Sequence, residues 1–108
     1  MAQRRYADAV EPLSRAVESR PDSADANYLL GETYLQVKKG SKAVVYLNEA
    51  IRLDPKGKAD AHLRLAGYLD ATGRKAEAAA ELKQFLEKNP SHPNRERFAE
   101  YIRQNGKR

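Results

Sequence analysis

Proline, alanine and leucine return along this chain at a nearly fixed step, and that step constrains the fold more than any other feature of the sequence. Pro21, Pro55 and Pro90 lie 34 and 35 residues apart, and Ala9, Ala43 and Ala78 keep the same steps. So do Leu13, Leu47 and Leu82, followed by Ala16, Ala50 and Phe85. Within one period, small and large apolar positions fall at helical spacing twice. Asn27, Leu30, Gly31 and Tyr34 make the first set; Ala43, Leu47, Ala50 and Ile51 make the second. The break at Lys38-Lys39-Gly40-Ser41 and the stop at Pro55 turn the period into a helical hairpin. Gly31 has no side chain, and Ala43 and Ala50 have small ones, so the two helices are expected to approach closely there. Repetition at this period means stacked hairpins that share a core.

The positions Leu30-Gly31, Tyr34, Ala43, Leu47, Ala50 and Pro55 resemble one tetratricopeptide repeat (TPR), all at the family's signature spacing, and the resemblance covers about residues 5 to 92. It implies an all-α fold, a right-handed α-solenoid of antiparallel helix hairpins. The expected parts are a half repeat, two full repeats and a C-terminal capping helix. A single domain over 1–108 then divides into 5–20 (the second helix of an incomplete repeat), 24–57 and 59–92 (full repeats) and 93–105 (the cap).

Residues 1–4 are expected to be frayed. Tyr6 to Ser19 is expected to be a helix with Tyr6, Ala9, Val10, Leu13, Ala16 and Val17 on one face. Its partner helix is missing from the register. Either the chain is cut from a longer array, or another protomer or a partner helix covers the face. Asp22 or Ser23 can cap the next helix, and Asp25 adds favourable charge to its first turn. Ala59–Thr72 and Lys75–Lys88 form the last hairpin, with Gly73 suited to a left-handed C-terminal cap. In the final segment Phe98, Tyr101 and Ile102 make a narrow apolar stripe, as a terminal cap needs.

Composition narrows the chemistry. The chain has no cysteine, which excludes disulfides, thiolate metal sites and thiol nucleophiles. No apolar run approaches the roughly 18 residues of a membrane span and no secretory signal is present, so membrane insertion is not expected and the cytoplasm is favoured. The histidines are His62, expected to fill space between paired helices, and His92, expected to be solvated in a polar loop. No phosphate loop, metal set or nucleophile motif occurs, and Asp22 and Asp25 suit capping better than a metal. Neither enzyme activity nor a cofactor is expected.

The resemblance implies a module that binds a protein or peptide segment in a concave groove. Counting around the first full helix, the side turned from its packed face carries Asp25, Tyr28, Leu29, Glu32, Leu35 and Gln36. The next repeat places Asp60, Leu63, Arg64, Gly67 and Asp70 there. Tyr28, Leu29, Leu35 and Leu63 give this set a semi-apolar floor. Four acids against one base make it net −3 in a chain of +5, so a neutral or basic segment with apolar anchors is the expected occupant. Some related repeats grip an acidic chaperone tail through lysine, asparagine and arginine. Here Leu29 stands for an asparagine and Asp60 for a lysine, and only Arg64 fits, so that partner is disfavoured. Two alternatives remain: a homo-oligomer or scaffold pairing through the N-terminal helix, and, less favoured, nucleic-acid binding along basic edges.

Overall fold

The structure, a computed structural model, describes residues 2–106, and among them finds six α-helices and no strand. They are α1 (Ala2–Ser19), α2 (Ala24–Gln36), α3 (Gly40–Leu53), α4 (Asp60–Ala71), α5 (Lys75–Lys88) and α6 (Arg95–Asn105). Met1, Lys107 and Arg108 lie outside the described residues. Residues 2–4, expected to be frayed, instead belong to the first turn of α1. The chain divides into two compact units, Met1–Ala61 and His62–Arg108.

In the first unit α2 pairs with α3 and also packs on α1. The hairpin closes on the residues picked out by periodicity: Asn27, Leu30, Gly31 and Tyr34 of α2, with Ala43, Leu47 and Ala50 of α3, are all buried. Ser23 is the residue that caps α2, its hydroxyl accepting the Ala26 N–H at 3.1 Å. The buried Asn27 amide donates back to the Ser23 carbonyl at 2.8 Å and to that of Pro21 at 3.3 Å. Those bonds fix the α1–α2 connection to the body of α2. From Arg5 to Ser19 no residue of α1 is fully buried; Val10, Leu13 and Val17 are half-buried. Pro12 sits inside this helix, where it removes the N–H that would bond the Asp8 carbonyl.

The second unit has a core of Ala66, Leu69, Ala78 and Leu82, and Phe98, Tyr101 and Ile102 of α6 lie against it. The apolar stripe read from the sequence therefore faces the core. Phe85 is buried as well, its ring edge-on to those of His92 (5.1 Å) and Phe98 (5.9 Å), which stack on each other at 5.6 Å. His92 is thus no solvated loop residue. It is half-buried, and its Nδ1 accepts the Asn94 N–H at 3.0 Å, because the turn before α6 folds it over two phenyl rings. His62 is buried as expected, though it does more than fill space. Its Nδ1 lies 2.7 Å from Glu81 Oε1 and its Nε2 2.9 Å from the Lys88 ammonium. A neutral ring with its proton on Nδ1 satisfies both contacts at once.

The two hairpin turns are built alike. In the first, the Lys38 N–H donates to the Leu35 carbonyl (3.1 Å) and the Lys39 N–H to that of Tyr34 (2.8 Å). In the second, Gly73 donates to Asp70 (3.1 Å) and Arg74 to Leu69 (2.8 Å). Each is a Schellman cap with one left-handed residue, Lys38 at φ +64° and Gly73 at φ +84°. Gly73 takes its predicted role, whereas the first turn sets a lysine in the same conformation. A left-handed L-residue costs roughly 1–2 kcal/mol, partly offset by the greater freedom of glycine when unfolded. Lys38→Gly is therefore expected to raise stability by roughly 0.5–1 kcal/mol in urea denaturation.

Candidate functional site

The predicted groove residues fall in both units, and each unit presents its own surface. On α2, Tyr28 and Leu35 are half-buried, Gln36 is exposed, and Leu29 is 49% exposed. Asp25 forms an ion pair with Lys58, whose ammonium also sits 5.5 Å from the centre of the Tyr28 ring. The Asp25 carboxylate, as the main cause, holds Lys58 above the ordinary lysine range. Glu32 is half-buried at mid-helix, and Asp60 is exposed at the start of α4.

In the second unit, three of the predicted residues come together. Leu63, Gly67 and Asp70 form one wall of a cleft of about 440 Å³, and Arg97, Phe98 and Tyr101 of α6 form the other. Its floor is the core itself, at Ala66, Ala78 and Leu82. Arg64, one residue beyond Leu63, is exposed and does not line it. The size falls within the roughly 300–1,000 Å³ of ordinary binding pockets.

Asp70 joins the two walls. Its Oδ1 accepts from the Lys75 ammonium at 2.7 Å and from the Tyr101 hydroxyl at 2.6 Å. Lys75 first, and Tyr101 second, hold the Asp70 carboxyl below its usual value. Burial first, and the Asp70 bond second, push the Tyr101 hydroxyl up to about 12. A tyrosine raised in the folded state stabilises the fold fully below its ordinary value near 10, and that contribution is lost as pH climbs through 12. Tyr101→Phe is accordingly expected to flatten the fall in stability between about pH 10 and 12, as measured by denaturation at stepped pH. An unchanged slope would mean that the hydroxyl is not held this way. On the acid side, the lowered Asp70 adds stability above its ordinary value, lost as pH falls through the folded one.

Lys58 and Lys75 alter the charge expected from the sequence. Two of the four acids behind the net −3 already carry a lysine partner. Among the described residues, no three His, Cys, Asp or Glu side chains gather in a way that could hold a metal ion. No helix among them is long and apolar enough to cross a membrane.

Two family models of the tetratricopeptide repeat match the chain, one over residues 1–58 and the other over 38–98, each more than half of its length. The chain belongs to the tetratricopeptide repeat family. Among solved structures, the crystal structure of MamA protein superposes with a TM-score of 0.77 at 23% sequence identity, covering 93% of this chain. That likeness concerns the fold, and the chain spans 62% of the MamA chain. No curated protein matches. Tetratricopeptide repeats generally mediate protein–protein interaction, and this chain is one of their number. Within its TPR fold the predicted first-helix residues account for only one wall of the α4–α6 cleft. Arg97, Phe98 and Tyr101 lie on a helix outside the repeat register, and the sequence signal for them was the Phe98–Tyr101–Ile102 stripe alone.

Proposed function

We propose that this TPR chain binds a segment of another protein through apolar anchors, using the α2 face of its first unit and the α4–α6 cleft of its second. The observation that carries the reading is the cleft, an open, apolar-floored cavity with Leu63, Gly67 and Asp70 along one side. The exposed Leu29 on the α2 face gives it independent support. With Asp25 and Asp70 both paired to lysines, apolar fit takes precedence over a general attraction for basic segments. Lys58 and Lys75 are paired with Asp25 and Asp70, which compensates two of the cations that a nucleic-acid edge would use.

Selection from a displayed peptide library against the immobilised chain tests this. Enriched peptides should carry recurrent bulky apolar residues and should lose affinity to Leu29→Asp or Leu63→Ser variants that keep wild-type circular dichroism. Enrichment of uncharacterised sequences that bind both variants as well as wild type would refute the reading. Self-association through α1 is a second reading, favoured because no residue from Arg5 to Ser19 of that helix is fully buried. Sedimentation equilibrium separates the two: a mass that rises with concentration, and falls back in a Val10→Glu variant, would support pairing through α1.

A further inference from the structure

We infer that the α4–α6 cleft seats a bulky apolar side chain of a bound peptide whose neighbouring residue bears a carboxylate, Gly67 supplying the space and Arg97 the countercharge. The inference rests on the peptide-binding reading above and names the chemistry of one of its sites.

Gly67 lies inside α4, where glycine is among the poorest helix formers. Two structural reasons could justify it, and neither applies. Its backbone is not left-handed, since Gly73 is the one described glycine with positive φ. Nor does another element press against it, for a Cβ built there would meet no atom within 4 Å. Gly31 is the contrast, its absent side chain being demanded by Leu47. What glycine does at position 67 is keep one wall of the cleft low. Leu63, Phe98 and the core floor then offer apolar surface to a side chain entering there.

The charge at the rim selects what stands beside that side chain. Asp70, the acid in the cleft wall, is already bonded by Lys75 and Tyr101 on a single oxygen. Arg97 is exposed, and among the described residues it forms no ion pair with Asp70 or any other acid. The rim therefore keeps an uncompensated guanidinium over an apolar floor, with the Lys75 ammonium nearby on Asp70. A peptide carboxylate complements it, whereas a peptide lysine would meet like charge.

Fluorescence anisotropy with three labelled peptides of equal length, carrying Phe-Glu, Phe-Gln or Phe-Lys at the centre, tests the assignment. Wild type should bind Phe-Glu about two- to five-fold more tightly than Phe-Gln, as expected for a solvent-exposed ion pair, and Phe-Lys most weakly. Arg97→Glu should invert that order. Gly67→Leu should weaken all three by about ten-fold or more while melting no lower than wild type, because leucine is the better helix former. An order unmoved by Arg97→Glu, or a Gly67→Leu variant that binds like wild type, overturns the inference. If that happens while Leu29→Asp still abolishes binding, the peptide-binding reading survives and the cleft assignment alone falls. Failure of all three peptides, together with failure of library selection, overturns both.

Discussion

Replacing Gly31 with valine is expected to destabilise the first unit by about 3 kcal/mol, the upper end of what overpacking costs. A Cβ at position 31 would lie 2.7 Å from Leu47 Cγ, 2.9 Å from Leu47 Cδ2 and 3.1 Å from the Leu47 backbone nitrogen. Side-chain rotation could relieve the first two contacts, but Leu47 is fully buried and has little room to turn. The third contact is relieved only if α3 itself moves. Gly31→Ala meets the same atoms with one methyl and regains about 1 kcal/mol of helix propensity, so its net cost should be much smaller. Valine adds two branches and keeps little of that gain. Urea denaturation measures both, and an unchanged midpoint for the valine variant would contradict the close approach. The pair Gly31→Val and Leu47→Ala sharpens the test. Because the second change makes room for the first, the double variant should be more stable than additive losses predict.

Phe85→Ala should cost more, about 3–5 kcal/mol, as large aromatic truncations in cores do. Phe85 is 1% exposed and is the largest side chain buried so completely. It holds His92 and Phe98 by edge-to-face contact, so its loss removes a core residue of α5 and the support of the turn and helix that follow. Total stability of a domain this size is roughly 5–15 kcal/mol, and a loss on this scale should leave the second unit largely open to exchange. Hydrogen exchange should show protection falling first in α5 and α6. Retained protection there would mean that the aromatic cluster carries little of the unit's stability.

Which features were legible in the sequence follows from how far apart the interacting residues lie. The hairpin seam was plain because Leu30, Gly31, Tyr34, Ala43, Leu47 and Ala50 each repeat a local helical period. The Gly73 cap was equally plain, since glycine at a helix end has one common use. Its counterpart in the first turn was hidden. Gly40 looks like the turn glycine, yet it opens α3, and Lys38 takes the left-handed position. The ion pair between Lys58 and Asp25 links residues distant along the chain and repeats nowhere, so nothing periodic announced it. The same holds for Asp70 with Tyr101. His92 was misread because the Phe85 and Phe98 rings it packs against lie outside the polar stretch that surrounds it in sequence. Gly67 and Gly31 look alike as helix glycines in the sequence, and only the empty space around Gly67 separates the two.

The most direct test of the account is an NMR titration of the 15N-labelled chain with a peptide from the library selection. Amide shifts are predicted at Leu63, Gly67, Arg97, Phe98 and Tyr101, with a second set around Leu29 and Gln36 on α2. Shifts confined to the lysine turn at 38–42, or to α1 between Tyr6 and Val17, would contradict it.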